Sequence, residues 1–152
     1  MTVEIGTKVE DFTLKDNRGK DFKLSDHKGK KILLSFHPLA WTSVCAQQMK
    51  ALEAHFQKLE NLNTVAVGVS VDSVPCKNAW AKELGISRTP LLSDFWPHGD
   101  LAKKLGIFRE KEGFSERANI TLNARHQVAF VKVYDIPQLP DIGEILEVLK
   151  GL

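Results

Sequence analysis

The 152-residue sequence predicts an α/β fold in which helices flank a central mixed β-sheet. Two segments predict buried strands: residues 32–36 form a short apolar run, and residues 64–71 are rich in β-branched side chains. The segment between them carries apolar side chains at helical spacing. A strand, a helix and a second strand in this order predict a βαβ unit with parallel strand pairing.

An N-terminal β-hairpin is predicted before this unit. Residues 12–14 and 22–24 alternate between apolar and polar side chains. The turn signal Asp16-Asn-Arg-Gly19 lies between the two alternating segments.

The helix of the βαβ unit should begin near Thr42 or Ser43, because both are good N-cap residues. Pro38 has no N–H group to donate and favours an extended His37, so the preceding strand should end there. One helix is predicted over residues 44–59 from its apolar face, which consists of Val44, Met49, Leu52, Phe56 and Leu59.

A second helix should follow the strand at residues 64–71. Asp72 or Ser73 is predicted to cap it, with Pro75 near its first position and Gly85 near its end. Cys76 then lies in its first turn. The other predicted elements are a short strand at 89–93, a short helix at 100–105, an exposed loop at 110–113, a terminal hairpin of 117–122 and 127–134, and a C-terminal helix at 142–149.

Cys45 lies in the first turn of the helix over residues 44–59. Free N–H groups and the helix dipole favour an anion there, and the thiolate is the reactive form of cysteine. The hypothesis is that Cys45 is a nucleophile. Placement alone leaves open the alternative that it is a small buried apolar residue.

Composition limits the possible classes of function. The length predicts one domain over residues 1–152, and the net charge of +2 is too scattered for a nucleic-acid surface. We see no membrane span and no signal-peptide pattern, so a cytoplasmic location is expected. Two cysteines in that compartment indicate chemistry, and they lack the histidine pair of a zinc site. No metal or cofactor is expected.

The spacing Pro38-x-x-x-Thr42-x-x-Cys45 resembles the active-site motif of the peroxiredoxins, which are thiol peroxidases built on a thioredoxin-like fold. The loop over residues 38–45 and the segment Leu91–Gly99 resemble the alkyl hydroperoxide reductase E class of that family most closely. Arg117 matches the distal arginine of the family. The resemblance extends over nearly the whole chain.

The resemblance implies that Cys45 attacks a peroxide oxygen and becomes a sulfenic acid. The Thr42 hydroxyl and the Arg117 guanidinium would bind the peroxide, and Pro38 would shield the sulfur. Hydrogen peroxide and organic hydroperoxides are the expected substrates, and a thioredoxin- or glutaredoxin-like protein or a low-molecular-weight thiol is the expected reductant. A homodimer is also implied, with the Trp41 loop and the loop over residues 95–97 at the contact.

Two residues depart from the family pattern. Gln48 stands where many relatives carry glutamate, so it can accept a hydrogen bond from arginine but brings no charge. His37 stands where an aromatic residue is common, and its hydrogen-bond partner is not evident from the sequence.

Cys76 is predicted to resolve the oxidised Cys45 as an intramolecular disulfide. Both cysteines follow the ends of neighbouring parallel strands, and one or both helix starts would have to unwind to bring the sulfurs together. The alternatives are a one-cysteine peroxidase reduced by an external thiol and a redox-sensing binding protein. A thioredoxin-like disulfide exchanger usually needs Cys-x-x-Cys, whereas residues 45–48 read Cys-Ala-Gln-Gln.

Overall fold

The computed structural model describes residues 1–152. Nine strands are present: β1 (Thr13–Lys15), β2 (Asp21–Lys23), β3 (Lys31–Phe36), β4 (Thr64–Ser70), β5 (Leu91–Ser93), β6 (Phe108–Arg109), β7 (Phe114–Ser115), β8 (Arg117–Leu122) and β9 (Val128–Tyr134). Five α-helices accompany them: α1 (Ser43–Ala54), α2 (Phe56–Asn61), α3 (Val74–Leu84), α4 (Asp100–Lys104) and α5 (Ile142–Lys150). A 3₁₀ turn covers Leu24–His27.

Seven strands form one mixed sheet in the order β2-β1-β5-β4-β3-β8-β9. β3 pairs in parallel with β4 and antiparallel with β8, so it lies near the middle of the sheet. The N-terminal hairpin of β1 and β2 and the terminal hairpin of β8 and β9 are antiparallel. The predicted mixed α/β sheet, parallel unit and both hairpins are therefore confirmed.

Alternation along β3 divides the core between the two faces of the sheet. Leu33 packs in a cluster with side chains of α1, α3 and α5, including Met49, Trp80 and Ile145. The neighbouring residues Ile32 and Leu34 point into the opposite cluster, which includes side chains of α4. The helices that carry the two cysteines therefore share one face of the sheet.

Gly68 in β4 allows α1 to lie close to the sheet. A Cβ atom at this position would lie 2.2 Å from the Met49 sulfur and 3.0 Å from a Leu91 methyl group. Both distances are at or below the contact limit for close-packed side chains. The absence of a side chain at Gly68 therefore helps to fix the depth of the helix that begins beside Cys45.

The predicted helix over residues 44–59 is interrupted at His55, and this part of the prediction is wrong. His55 has φ −103° and ψ 15°, and its N–H approaches the carbonyl oxygens of Ala51 and Leu52 together. Its ring Nδ1 also lies 2.8 Å from the Ala51 oxygen. The backbone tightens at this residue, so α1 and α2 are separate helices.

Two short features were not predicted. One is the 3₁₀ turn, and the other is a second, two-stranded sheet formed by β6 and β7. Each of these strands has two residues, which is too short for an alternating pattern to be seen. The predicted loop at residues 110–113 is the turn of this hairpin. No helix in the chain has the length and apolar character needed to cross a membrane.

Candidate active site

Cys45 occupies the first turn of α1, where the sequence places it, and is completely buried. β3 ends at Phe36, and the buried residues His37 and Pro38 follow. The loop then passes through Trp41, whose backbone is left-handed with φ 69°. A bulky residue rarely adopts this conformation, so the loop before Cys45 carries local backbone strain.

Arg117 reaches Cys45 from the neighbouring strand. Antiparallel pairing places Ala118 opposite Phe36, so Arg117 lies beside the end of β3. Its Nη1 lies 3.3 Å from the Cys45 Sγ and 2.8 Å from the Gln48 Oε1, and its Nε donates to the Ile136 oxygen at 2.8 Å. Arg117 is only 2% exposed. A fixed, buried positive group therefore faces the sulfur.

Gln48 holds Arg117 through a buried polar network. The Gln48 amide donates to the Ser35 Oγ at 2.8 Å and to the Phe36 oxygen at 3.1 Å. Ser35 in turn donates to the Asn119 Oδ1 at 2.8 Å. The expected hydrogen bond between Arg117 and Gln48 is present. The neutral Gln48 amide therefore makes three hydrogen bonds, two as donor and one as acceptor. A carboxylate at this position would lack the two donor bonds.

Thr42 stands at the N-cap position of α1, but its side chain does not cap the helix. The hydroxyl donates to the Leu39 oxygen at 2.9 Å, which stabilises the loop before Cys45. The predicted start of the helix is confirmed, because Thr42 is the N-cap residue and Ser43 is the first residue of α1, although no side-chain cap hydrogen bond forms. A hydroxyl oxygen has two lone pairs, so Thr42 remains able to accept a further hydrogen bond.

A shallow cavity of about 290 Å³ opens beside this loop. Pro38, Thr42 and Arg117 contribute to its lining, together with Phe114 and Ile136. Three of the predicted site residues therefore share one cavity, and Arg117 connects this cavity to the buried sulfur of Cys45. The apolar side chains in the cavity lining limit the access of water to the space in front of Cys45.

Cys76 lies in the first turn of α3 as predicted, and both cysteines are free. Its backbone N–H donates to the Ser73 Oγ at a long 3.4 Å, and its thiol donates to the Asp72 Oδ1 at 3.7 Å. Burial, followed by the charge of Asp72, raises the pKa of the Cys76 thiol. Asp72 also accepts a 2.8 Å bond from the Ala40 N–H and so links this turn to the Cys45 loop. Cys76 packs against the same apolar cluster that contains Cys45.

His37 contacts a residue that sequence reasoning missed. The Lys77 Nζ lies 2.8 Å from the His37 Nε2 and 2.6 Å from the Ser70 Oγ, and both Lys77 and His37 are fully buried. Lys77, Trp80 and Ala81 follow the i, i+3, i+4 spacing of one helix face. That spacing was the available signal that Lys77 shares a buried face.

The arrangement is suited to nucleophilic attack by sulfur. A helix N-terminus and a fixed guanidinium both favour the thiolate form of a cysteine. The same guanidinium is positioned to stabilise negative charge that develops on an oxygen in the cavity. The structure contains no group of three or more histidine, cysteine, aspartate or glutamate side chains arranged to hold a metal ion.

Comparison with known proteins gives consistent matches. The chain is 33% identical over 132 residues to alkyl hydroperoxide reductase E of Mycobacterium tuberculosis, covering 86% of each chain. It is 31% identical over 122 residues to peroxiredoxin-1 of Gekko japonicus, covering 76% of this chain and 60% of the relative. The crystal structure of AhpC from Enterococcus faecalis aligns with a TM-score of 0.91 at 25% identity, covering 99% and 92% of the two chains.

The thioredoxin-like fold and these relatives define the class of protein as a thiol-dependent peroxidase, which is an oxidoreductase. The family model described as AhpC/TSA matches residues 5–131. The chain therefore belongs to the AhpC/TSA family, to which the peroxiredoxins belong.

Proposed function

We propose that the protein reduces hydrogen peroxide and organic hydroperoxides with Cys45 as the nucleophile. The observation that carries this proposal is the 3.3 Å contact between the Arg117 Nη1 and the Cys45 Sγ at the buried start of α1. A fixed cation beside a cysteine sulfur stabilises the thiolate, which is the nucleophilic form. The likeness to alkyl hydroperoxide reductase E supports the choice of substrate class.

In the first step, the Cys45 thiolate attacks one peroxide oxygen. A sulfur–oxygen bond forms, the oxygen–oxygen bond breaks, and hydroxide or alkoxide leaves and takes up a proton. Cys45 becomes a sulfenic acid. Arg117 stabilises the leaving oxygen, the Thr42 hydroxyl helps to orient the peroxide, and Pro38 keeps water from the sulfur.

In the second step, Cys76 attacks the Cys45 sulfenic acid to form an intramolecular disulfide. The Ser73 Oγ accepts from the Cys76 N–H at a long 3.4 Å, so this cap bond holds the turn of Cys76 only weakly. The alternative is a one-cysteine cycle with an external thiol. It is favoured by the raised pKa of Cys76 and its contact with Asp72, which both disfavour the thiolate needed for resolution.

The reductant and the assembly complete the proposal. A thioredoxin- or glutaredoxin-like protein, or a low-molecular-weight thiol, returns the enzyme to its reduced form. The protein acts in the cytoplasm as a homodimer, with residues 1–152 as one domain. If it were instead a redox-sensing binding protein, oxidation of Cys45 would occur once, without an efficient reductant.

Stopped-flow peroxide consumption, measured with a panel of thiol donors, tests the proposal. Cys45→Ser should abolish consumption, and an active Cys45→Ser variant would overturn the assignment. Arg117→Met should slow Cys45 oxidation about a hundredfold, the order expected for losing one transition-state donor. Arg125→Met, which changes an exposed arginine in the same manner, is the matched control. Turnover with a thiol donor separates the peroxidase from the sensor.

A further inference from the structure

Lys77 is a buried amine next to the second cysteine, and the reaction described above does not use it. It is 0% exposed, and its two hydrogen-bond partners are the His37 ring and the Ser70 hydroxyl. The Trp80 ring lies 5.5 Å from the Lys77 Nζ. Desolvating an amine is costly unless a carboxylate is paired with it. Here the nearest link to a carboxylate runs through Ser70, which donates to Asp72 at 2.6 Å.

The titration of this group agrees with its geometry. Burial lowers the pKa of Lys77 to about 7, although Asp72, Cys45 and Cys76 oppose this shift. Burial and the neighbouring Lys77 also hold the pKa of His37 well below its ordinary value. The pair therefore contains a neutral imidazole, and the lysine would hold its proton more tightly in water than in the folded turn.

Because of the position of Lys77, the desolvation cost of its amine affects the turn that holds Cys76. The two residues are consecutive, and the Lys77 N–H donates to the Ser73 oxygen in the first turn of α3. Unwinding that turn moves Cys76 and carries the lysine side chain out of its site. Water then solvates the amine, so the solvation free energy that the amine lost on burial is regained when the turn unwinds.

We propose that Lys77 is a positioning residue for the resolving step: its buried amine destabilises the first turn of α3, so that Cys76 leaves this turn and reaches Cys45 more readily than an apolar residue would allow. The inference rests on the proposed role of Cys76 as the resolving cysteine. In that step the Cys76 sulfur bonds to the Cys45 sulfur, the sulfur–oxygen bond of the sulfenic acid breaks, and the thiol proton leaves with hydroxide as water. The competing reaction is a second peroxide that oxidises Cys45 to the sulfinic acid.

Lys77→Met tests this directly, because methionine keeps an unbranched apolar stem and removes the amine. Methionine removes the desolvation cost of a buried charged amine, which is the larger of two opposing effects. Leaving the neutral His37 Nε2 without its donor costs less, and Ser70 keeps Asp72 as its partner. The reduced Lys77→Met protein should therefore melt at a higher temperature. Its disulfide should form about tenfold more slowly or slower still, as measured by the second phase of stopped-flow tryptophan fluorescence. Excess peroxide should convert more Cys45 to sulfinic acid.

Lys82→Met is the matched control, because Lys82 is an exposed lysine on the same helix. It should change neither the melting temperature nor the second phase. A lower melting temperature for Lys77→Met, or disulfide formation at the wild-type rate or faster, would overturn the proposal. If peroxide oxidises Cys45 but neither protein forms a disulfide, Cys76 is not the resolving residue, and the inference fails while the peroxidase assignment stands.

The pH profile gives a readout that a purely structural role would not change. The groups that face Lys77 are His37 at the end of β3, Asp72 after β4, Cys76 on α3 and Cys45 on α1, and Arg117 of β8 acts on His37. Below pH 7 the Lys77 amine is charged in both the folded and the unwound turn, so its full destabilisation of the folded turn is present. Above pH 7 the buried amine is neutral and takes up a proton when the turn unwinds, so this destabilisation declines as pH rises. Between pH 7 and about 8.5, the resolution rate should rise more steeply in Lys77→Met than in wild type. Parallel profiles would contradict the proposal.

Discussion

Arg117 is fixed at three points, and this determines where its charge lies. The Ile136 oxygen holds its Nε, the Gln48 Oε1 accepts from its Nη1, and the Cys45 Sγ lies against the same nitrogen. A guanidinium held in this way does not reorganise when charge develops in the transition state. In the proposed reaction, the contribution of Arg117 therefore depends on neighbours that do not contact the peroxide.

Gln48 is the neighbour whose loss should be most visible. Gln48→Leu removes an acceptor from Arg117 and leaves the guanidinium less well placed, so Cys45 oxidation should slow about tenfold. The free energy of unfolding should also fall by about 1–3 kcal/mol, because buried polar groups lose their partners. Stopped-flow oxidation and urea denaturation measure the two effects. Gln47→Leu, an exposed neighbour, is the control, and equal behaviour of the two variants would contradict the assigned role of Gln48.

The Thr42 hydroxyl donates to the Leu39 oxygen, and Thr42 lines the cavity. In the proposed mechanism the same hydroxyl also accepts a hydrogen bond from the peroxide. Thr42→Val keeps the side-chain shape and removes the hydroxyl, so kcat/KM for hydrogen peroxide should fall about tenfold or more. Thr42→Ser keeps the hydroxyl and should recover most of the rate. If valine and serine variants react equally fast, Thr42 acts in the loop structure alone.

At the level of elements, α1 is anchored at both ends. Arg117 and Gln48 hold its first turns, and Glu53 near its other end binds the segment before β5. The Glu53 carboxylate accepts the N–H groups of Ser87 at 3.0 Å and Thr89 at 2.9 Å, and both hydroxyls of these residues. Although partial burial opposes the shift, donation from Ser87, Thr89 and Arg88 lowers the pKa of Glu53 to about 2.

Glu53→Gln should reduce the free energy of unfolding at pH 7 by about 1 kcal/mol, a value discounted because solvent reaches the carboxylate. The folded pKa of about 2 lies below the ordinary 4.5, so the contribution is complete above pH 4.5 and is lost as pH falls through 2. Urea denaturation between pH 7 and pH 2.5 should show the wild type and variant converging. Glu60→Gln on α2 is the exposed control, and a constant difference at all pH values would contradict this account.

Sequence reasoning located the elements better than it located their polar contacts. β3, β4 and α3 follow from apolar runs and cap signals, and the family motif points to Cys45 and Arg117. Periodicity does not show that β8 places Arg117 beside β3, since strand order depends on contacts distant in the chain. The interruption at His55 and the Lys77–His37 pair are tertiary effects, because each depends on the backbone or side chains that surround one residue.

At the scale of the whole molecule, the sheet brings together residues that are 72 positions apart in sequence, Cys45 and Arg117. Exposed aromatic side chains lie in two loops of the same molecule: Trp41 is 55% exposed, Phe95 50% and Trp96 81%. Aromatic side chains are enriched where proteins associate. They are the basis for assigning these loops to the proposed dimer contact.

Light scattering in solution tests the assembly. Wild type should give twice the mass of one chain, and Trp96→Ser should shift the equilibrium toward the monomer because it removes an exposed indole from the contact. Ile5→Ser changes another exposed apolar residue, which is 70% exposed, and should leave the mass unchanged. A monomeric wild type would contradict the dimer, and a fully dimeric Trp96→Ser would exclude this loop as an important contact.

The central claim is that Cys45 is the sulfur that peroxide oxidises and that Cys76 resolves it. The most direct test is the intact mass of the reduced protein after one equivalent of hydrogen peroxide. Wild type should lose two hydrogens as the disulfide forms, Cys76→Ser should gain one oxygen on Cys45, and Cys45→Ser should remain unchanged. Oxidation of Cys45→Ser at Cys76, at the rate seen for wild type, would contradict the account.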